Sequence, residues 1–203
     1  MKKCLFFTLL FLFACSYTTP PRSEWSAILK GTSNEAMSSM LRVAKKPLYE
    51  ESGGIVIAKD SKSKYMSDLE LQMEENLRKP GIQITRVGTD IRIVIVRSAI
   101  IYTDSPEVSE MGDDLLSDLA DVLRQFDATW IEITGYTDAI NNQKNAITLS
   151  RDMALKVAVY LAKHGINPLR MFVNGRGSAN PIADQSDIGR LTNLRVEIRL
   201  SIV

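Results

Sequence analysis

Apolar and polar positions change period several times along this chain, and each change predicts an element. The first run, Cys4 to Ala14, is almost continuously apolar behind Lys2 and Lys3. It is too short to span a bilayer stably and reads as a targeting segment over residues 1–14. Residues 16–24, SYTTPPRSE, are polar around Pro20 and Pro21, a semi-extended spacer. Over residues 25–61, Trp25, Ile28, Leu29, Met37, Met40, Leu41 and Val43 give weakly amphipathic helical pieces that end near Pro47. This extension either packs on the domain or offers an attachment surface to a partner.

Beyond Ser61 the pattern sharpens. Met66, Leu69, Met73 and Leu77 recur at helical spacing, and Pro80-Gly81 stops the helix. GIQITRV and DIRIVIV alternate on either side of Gly88-Thr89 as a hairpin, the second strand extending over Ile93–Ile101. A helix over about 108–126 presents Met111, Leu115, Leu119, Val122 and Leu123. ATWIEITGYTD is a strand with Trp130 on one face and Ile131 and Ile133 on the other. A helix over about 145–163 follows, then the strand MFVNGRG, a polar loop that includes Arg190, and the closing strand LRVEIRLSIV. Helices alternating with a few strands predict a two-layer α/β sandwich with a mixed sheet. The strands are too few and too interrupted for an outer-membrane barrel.

The junction after the first run changes the picture of where the chain works. LFAC places Leu12 three residues before Cys15 and Ala14 directly before it, the arrangement of a lipoprotein signal cleaved ahead of a lipidated Cys15. An ordinary secretory signal or an uncleaved anchor, in which Cys15 has no special part, is the alternative. Cleavage removes Lys2 and Lys3 and leaves 23 basic against 24 acidic side chains, a near-neutral protein with no electrostatic drive toward nucleic acid. Acyl chains on Cys15, palmitate among them, supply the membrane attachment instead, with 15–24 as lipidated N-terminus and tether. No cysteine then remains in the folded part, so it holds no disulfide or thiol nucleophile. His164 is the lone histidine, in AKHG at a helix end, and no metal-ligand spacing surrounds it. No cofactor motif occurs: GRGSANP lacks a phosphate loop's lysine and its strand-turn-helix setting. Ser105, Asp138 and His164 do not make a triad, because His164 falls at the far end of its helix and no nucleophile elbow is present. No catalytic constellation is predicted, and the chain is not read as an enzyme.

Four segments, in order, carry a resemblance: IYTDSPEVSEMG (101–112), TGYTD (134–138), LSRDMALKVAVYL (149–161) with Gly165-Ile166, and GRGSANPI followed by NLRVE (175–197). Together with the preceding hairpin they resemble the OmpA C-terminal-like domain found in peptidoglycan-associated lipoproteins, over about residues 62–203. The resemblance implies a two-layer sandwich with a mixed β-sheet and helices on one face. It also implies non-covalent binding of the diaminopimelate peptide stem of peptidoglycan, tethering an outer-membrane component to the wall from the periplasmic face.

Residue by residue, Asp138 stands where the family's carboxylate receives the ligand ammonium. Thr137 assists, and Asp104 and Ser105 lie at the groove rim. Leu149, Ala154, Val157 and Leu161 match the helical core stripe. Asn193, Arg195 and Glu197 match the closing strand and orient it. Three positions depart from the family pattern: Ala146 replaces an asparagine, Met153 the helix arginine that meets the ligand carboxylate, and Leu194 the first arginine of the last strand's pair. A thioether cannot imitate a guanidinium fork. Lys156, one turn on from Met153, and Arg190 are the candidate replacements. The rival reading is a degenerate OmpA-like domain with weak or no wall binding. On that reading the chain is a structural subunit of an envelope-spanning assembly with protein partners, resembling the OmpA-domain lipoprotein of Dot/Icm type IVB secretion systems.

Overall fold

The computed structural model describes residues 57–101, 107–138 and 142–202. The expected signal segment, Cys15, the tether, most of the N-terminal extension, Asp104 and Ser105 lie outside the described residues.

Helix α1 (Lys62–Asn76) turns Met66, Leu69 and Met73 inward, and Leu77 just beyond it is buried with them. Strands β1 (Ile82–Val87) and β2 (Asp90–Val96) form the expected hairpin across Gly88, whose φ of +62° suits a residue without Cβ. The second strand is shorter than expected. It stops at Val96, where a 3-10 turn over Arg97–Ala99 begins, and the Arg97 N–H leaves the strand direction to donate to the Leu194 carbonyl at 2.7 Å. Ile101 keeps only an isolated bridge to Val108.

Helix α2 (Glu110–Gln125) is capped by Ser109, whose Oγ accepts from the Gly112 N–H at 3.0 Å. Strand β3 (Thr129–Tyr136) leads to helix α3 (Gln143–Lys163), capped by the Asn142 side chain, and α3 returns the chain to β4 (Met171–Gly175). The segment expected as a polar loop contains a short helix, α4 (Asp187–Asn193), capped by Ser186 and carrying Arg190. Strand β5 (Arg195–Ile202) closes the chain.

The sheet order is β1-β2-β5-β3-β4, antiparallel except for β3–β4. It is the expected two-layer α/β sandwich with a mixed sheet. Register aligns Ile93, Ile198, Ile133 and Val173 in one apolar row across four strands. Helices α1, α2 and α3 bury that face, and each enclosed aliphatic side chain contributes about 1.5–3 kcal/mol. Trp130 points to the opposite face, against Leu169. No helix among the described residues is long and apolar enough to cross a membrane.

Two expected core residues lie outside it. Met111 and Leu149 are about half exposed, and Gly112 and Ser150 take the inward positions beside them. The reason is close backbone approach. A Cβ on Gly135 of β3 would meet the Ser150 carbonyl oxygen at 1.8 Å, and one on Gly112 would meet that of Ile100 at 2.1 Å. Only small residues fit where a helix rides this near another backbone, so α3 places Ala146 and Ser150 at its close approaches, while Met153, Ala154, Val157 and Leu161 are buried farther along.

Candidate functional site

The site is assembled at the C-terminal end of β3, where Thr137 and Asp138 leave the sheet. The Thr137 N–H donates to the Gly177 carbonyl at 2.8 Å, and the Gly177 N–H donates to Ser150 Oγ at 2.9 Å. Gly177 holds φ +57°. Ser150 therefore ties α3 to the loop after β4, and that loop backs the Thr137–Asp138 segment. Neither Ser150 nor Gly177 is picked out by a hydropathy pattern; the serine of LSRDMA and the second glycine of GRG were the available signals.

The rest of the loop is pinned from the last residue of α4 and the first of β5. Asn193 Oδ1 accepts from the N–H groups of Ile182 and Ala183 at 2.8 and 3.1 Å, and its Nδ2 donates to the Ala183 carbonyl at 3.1 Å. Arg195, 1% exposed, donates through Nε to Glu197 Oε1 at 2.7 Å and through Nη2 to the Asn180 carbonyl at 2.9 Å. Its guanidinium stacks 3.9 Å from the centre of the Tyr136 ring, directly before Thr137. Burial, and next the Glu197 charge, push the Tyr136 phenol above its ordinary pKa, against the opposing effect of Arg195.

This scaffold presents α4 to Asp138. Arg190 Nε donates to Asp138 Oδ2 at 2.7 Å, and that bond raises the guanidinium pKa. The Asp138 side chain is 11% exposed, that of Arg190 51%. The other carboxylate oxygen, Oδ1, is buried without a hydrogen-bond partner, and so is the hydroxyl of Thr137. An orphaned buried acceptor of this kind costs about 1–3 kcal/mol, so the pair is chemically poised for a ligand that brings donors.

Of the residues expected at the site, Thr137, Asp138 and Arg190 come together. Lys156 does not join them. Ser150 lies abreast of Gly135, and the earlier residues Ala146 and Ile147 lie abreast of Gly177 and Gly175, so α3 runs away from the Asp138 end. Lys156 is six residues beyond Ser150, about 9 Å farther along the axis. Met153, 3% exposed, packs in the core beneath the sheet, and Ala146 is fully buried against Gly177. Leu194 is half-buried and engages the Arg97 N–H through its carbonyl. His164 caps the far end of α3, its Nδ1 2.8 Å from the Tyr160 carbonyl oxygen. A helix of 21 residues spans about 30 Å, so His164 and Asp138 share no site. No group of three or more His, Cys, Asp or Glu able to hold a metal occurs among the described residues.

Residues 102–193 match the OmpA family. The chain is 32% identical over 138 residues to YiaD of Escherichia coli, named a probable lipoprotein, covering 68% of this chain and 63% of that one. It is 37% identical over 86 residues to the peptidoglycan-binding protein ArfA of Mycobacterium tuberculosis, covering 42% of this chain and 26% of ArfA. It thus spans less than two thirds of either relative. Among solved structures, a MotB-like protein from Desulfovibrio vulgaris superposes with a TM-score of 0.62 at 21% identity, over 71% of this chain and 96% of that one, a likeness of fold. The segment that matches the OmpA family includes Thr137, Asp138 and Arg190.

Proposed function

We propose that this chain is an outer-membrane-anchored lipoprotein of the periplasm that binds peptidoglycan non-covalently and ties an envelope component to the wall. The observation that carries the reading is the orphaned Asp138 Oδ1, buried at a strand end beside a hydroxyl that also lacks a partner. The ammonium of the diaminopimelate stem is a donor of the right charge, and a charge-assisted hydrogen bond to Oδ1 removes the penalty of leaving it unpaired. Similarity to a protein named for peptidoglycan binding supports the ligand class. Similarity to a protein named as a probable lipoprotein supports the membrane attachment. Cys15 is the lipidated residue in this reading, and residues 16–24 are the tether.

Co-sedimentation of the chain with purified sacculi tests it. Wild-type protein should pellet with the wall, and Asp138→Ala should stay in the supernatant. Cys15→Ser should abolish palmitate incorporation and leave sacculus binding intact.

One observation favours a second reading. Met153 is buried in the core, at the position to which the resemblance assigns the family's ligand-binding arginine. A domain that has given this position to packing suits a structural subunit of an envelope assembly, the type IVB secretion complex included, recruited through protein partners. Wild-type protein that fails to pellet with sacculi yet remains folded would select this reading over wall tethering.

A further inference from the structure

The outward side of α1 is a continuous exposed stripe. Asp60, Lys64, Ser67, Leu71, Glu74 and Arg78 follow one another at alternating steps of four and three, the spacing that keeps one seam of a helix facing a neighbouring helix. All are exposed, Leu71 at 55%, while Met66, Leu69, Met73 and Leu77 turn to the core from the other side. The molecule leaves the charges around that leucine largely unanswered. Asp60, Glu74 and Arg78 form no ion pair among the described residues, and Lys64 meets only Asp68 on its own helix, in solvent. The helix also carries no acid in its first turn and no base in its last. Lys62 and Lys64 stand near its N-terminus and Glu74 and Glu75 near its C-terminus, an order that its own dipole disfavours.

We infer that this stripe is the contact surface for a second copy of the chain, with the two α1 helices packed antiparallel about a two-fold axis level with Leu69. The stripe is its own complement in that arrangement, because residues equally far before and after Leu69 face each other. Asp60 meets the partner's Arg78, Lys64 meets the partner's Glu74, and Ser67 meets the partner's Leu71; the two-fold makes each contact twice. The small Ser67 admits the leucine between helix axes about 8–10 Å apart, and both leucines leave water. The partner's Glu74 comes to the end of α1 that has no acid, and the partner's Lys64 to the end that has no base, which answers both dipole ends. A parallel pairing in register is opposed, since it sets Lys64 against the partner's Lys64 and Glu74 against the partner's Glu74. The stripe is about 27 Å long. One helix pair of that length is a smaller contact than the ~800 Å² per partner of a standard interface. The dimer is therefore weak in free solution and gains where chains are held on one surface. This inference goes beyond the wall-binding reading and does not depend on it.

Sedimentation equilibrium of the full chain, under reducing conditions and over a range of concentrations, tests the interface by charge exchange. Wild type should associate as a weak dimer. Lys64→Glu and Glu74→Lys each turn two attractive contacts into two repulsive ones and should weaken association about tenfold. Neither endangers the fold, because each gives α1 a charge that its dipole favours. An equal mixture of the two single variants restores both contacts in a heterodimer, and the double variant restores them in a homodimer. Both should recover wild-type affinity. Leu71→Ala should weaken association with no such rescue, and Asp138→Ala should leave it unchanged, so this surface and the wall-binding site fail separately. A chain that stays monomeric at every concentration, its stripe solvated or met by the N-terminal extension, overturns the inference. Association that the single exchanges leave untouched, or that mixing does not rescue, also overturns it and moves the contact to another face.

Discussion

The two ends of β3 hold arginines that do opposite things. At the N-terminal end, Arg170 is 3% exposed and donates to the carbonyls of Leu123, Phe126 and Thr129 and to Thr129 Oγ1, at 2.6–3.1 Å. It gathers the carbonyls at the end of α2 and the start of β3 into one knot, where a cation also complements the helix C-terminus. At the C-terminal end, Arg190 is half exposed and reaches Asp138 through one nitrogen, while Asp138 Oδ1 and the Thr137 hydroxyl lack partners. One end spends its polar groups on the fold; the other keeps them unspent. Fully satisfied and unsatisfied buried polar groups are thus separated along a single strand.

The largest effect should come from the filled end. Arg170→Ala strands several buried carbonyls at once and should cost about 3–5 kcal/mol in urea unfolding, by analogy with breaking a buried charged network. The folded fraction should still bind sacculi; selective loss of wall binding at unchanged stability would erase the contrast between the ends. Next is Gly135→Ala, which forces α3 off the sheet because the new methyl overlaps the Ser150 carbonyl. Overpacking of this kind costs about 1–3 kcal/mol. Since Ser150 also holds Gly177, the variant should lose stability and wall affinity together, and an urea midpoint equal to wild type would contradict the packing argument.

The large apolar positions of α1, α2 and β2 were legible because burial there is achieved by big side chains at regular spacing. What was not legible was burial achieved by small ones. Leu149 reads as core by the family stripe and Met111 by helical period, yet Ser150 and Gly112 lie inward, because the limiting quantity is the distance between two backbones. Helix α4 was missed for a related reason. Ile188 and Leu191 are 80% and 63% exposed, so its seven residues bury no apolar stripe, and what marks it is the Ser186 cap. That omission left Arg190 in a loop without a geometry, while Lys156 looked better placed than it is. Asp138 itself was legible from TGYTD, but its orphaned oxygen belongs to the packing around it, which one strand's sequence does not contain.

The smallest expected change in stability is the most discriminating. Asp138→Asn removes the charge that pairs with Arg190, a partner half in solvent, so the lost attraction is about 1 kcal/mol or less. It also exchanges a charged oxygen buried without a donor for a neutral amide group, which costs less to leave unpaired. The two terms oppose each other, and the urea midpoint should stay close to wild type or rise. Sacculus binding should nevertheless drop about tenfold or more, because an amide gives the ligand ammonium a weaker acceptor and adds a donor where none is wanted. A site retained for function at some expense to stability behaves this way. If the variant instead unfolds with a loss above about 2 kcal/mol, Asp138 is a strut like Arg170, and the two ends of β3 would not differ in kind.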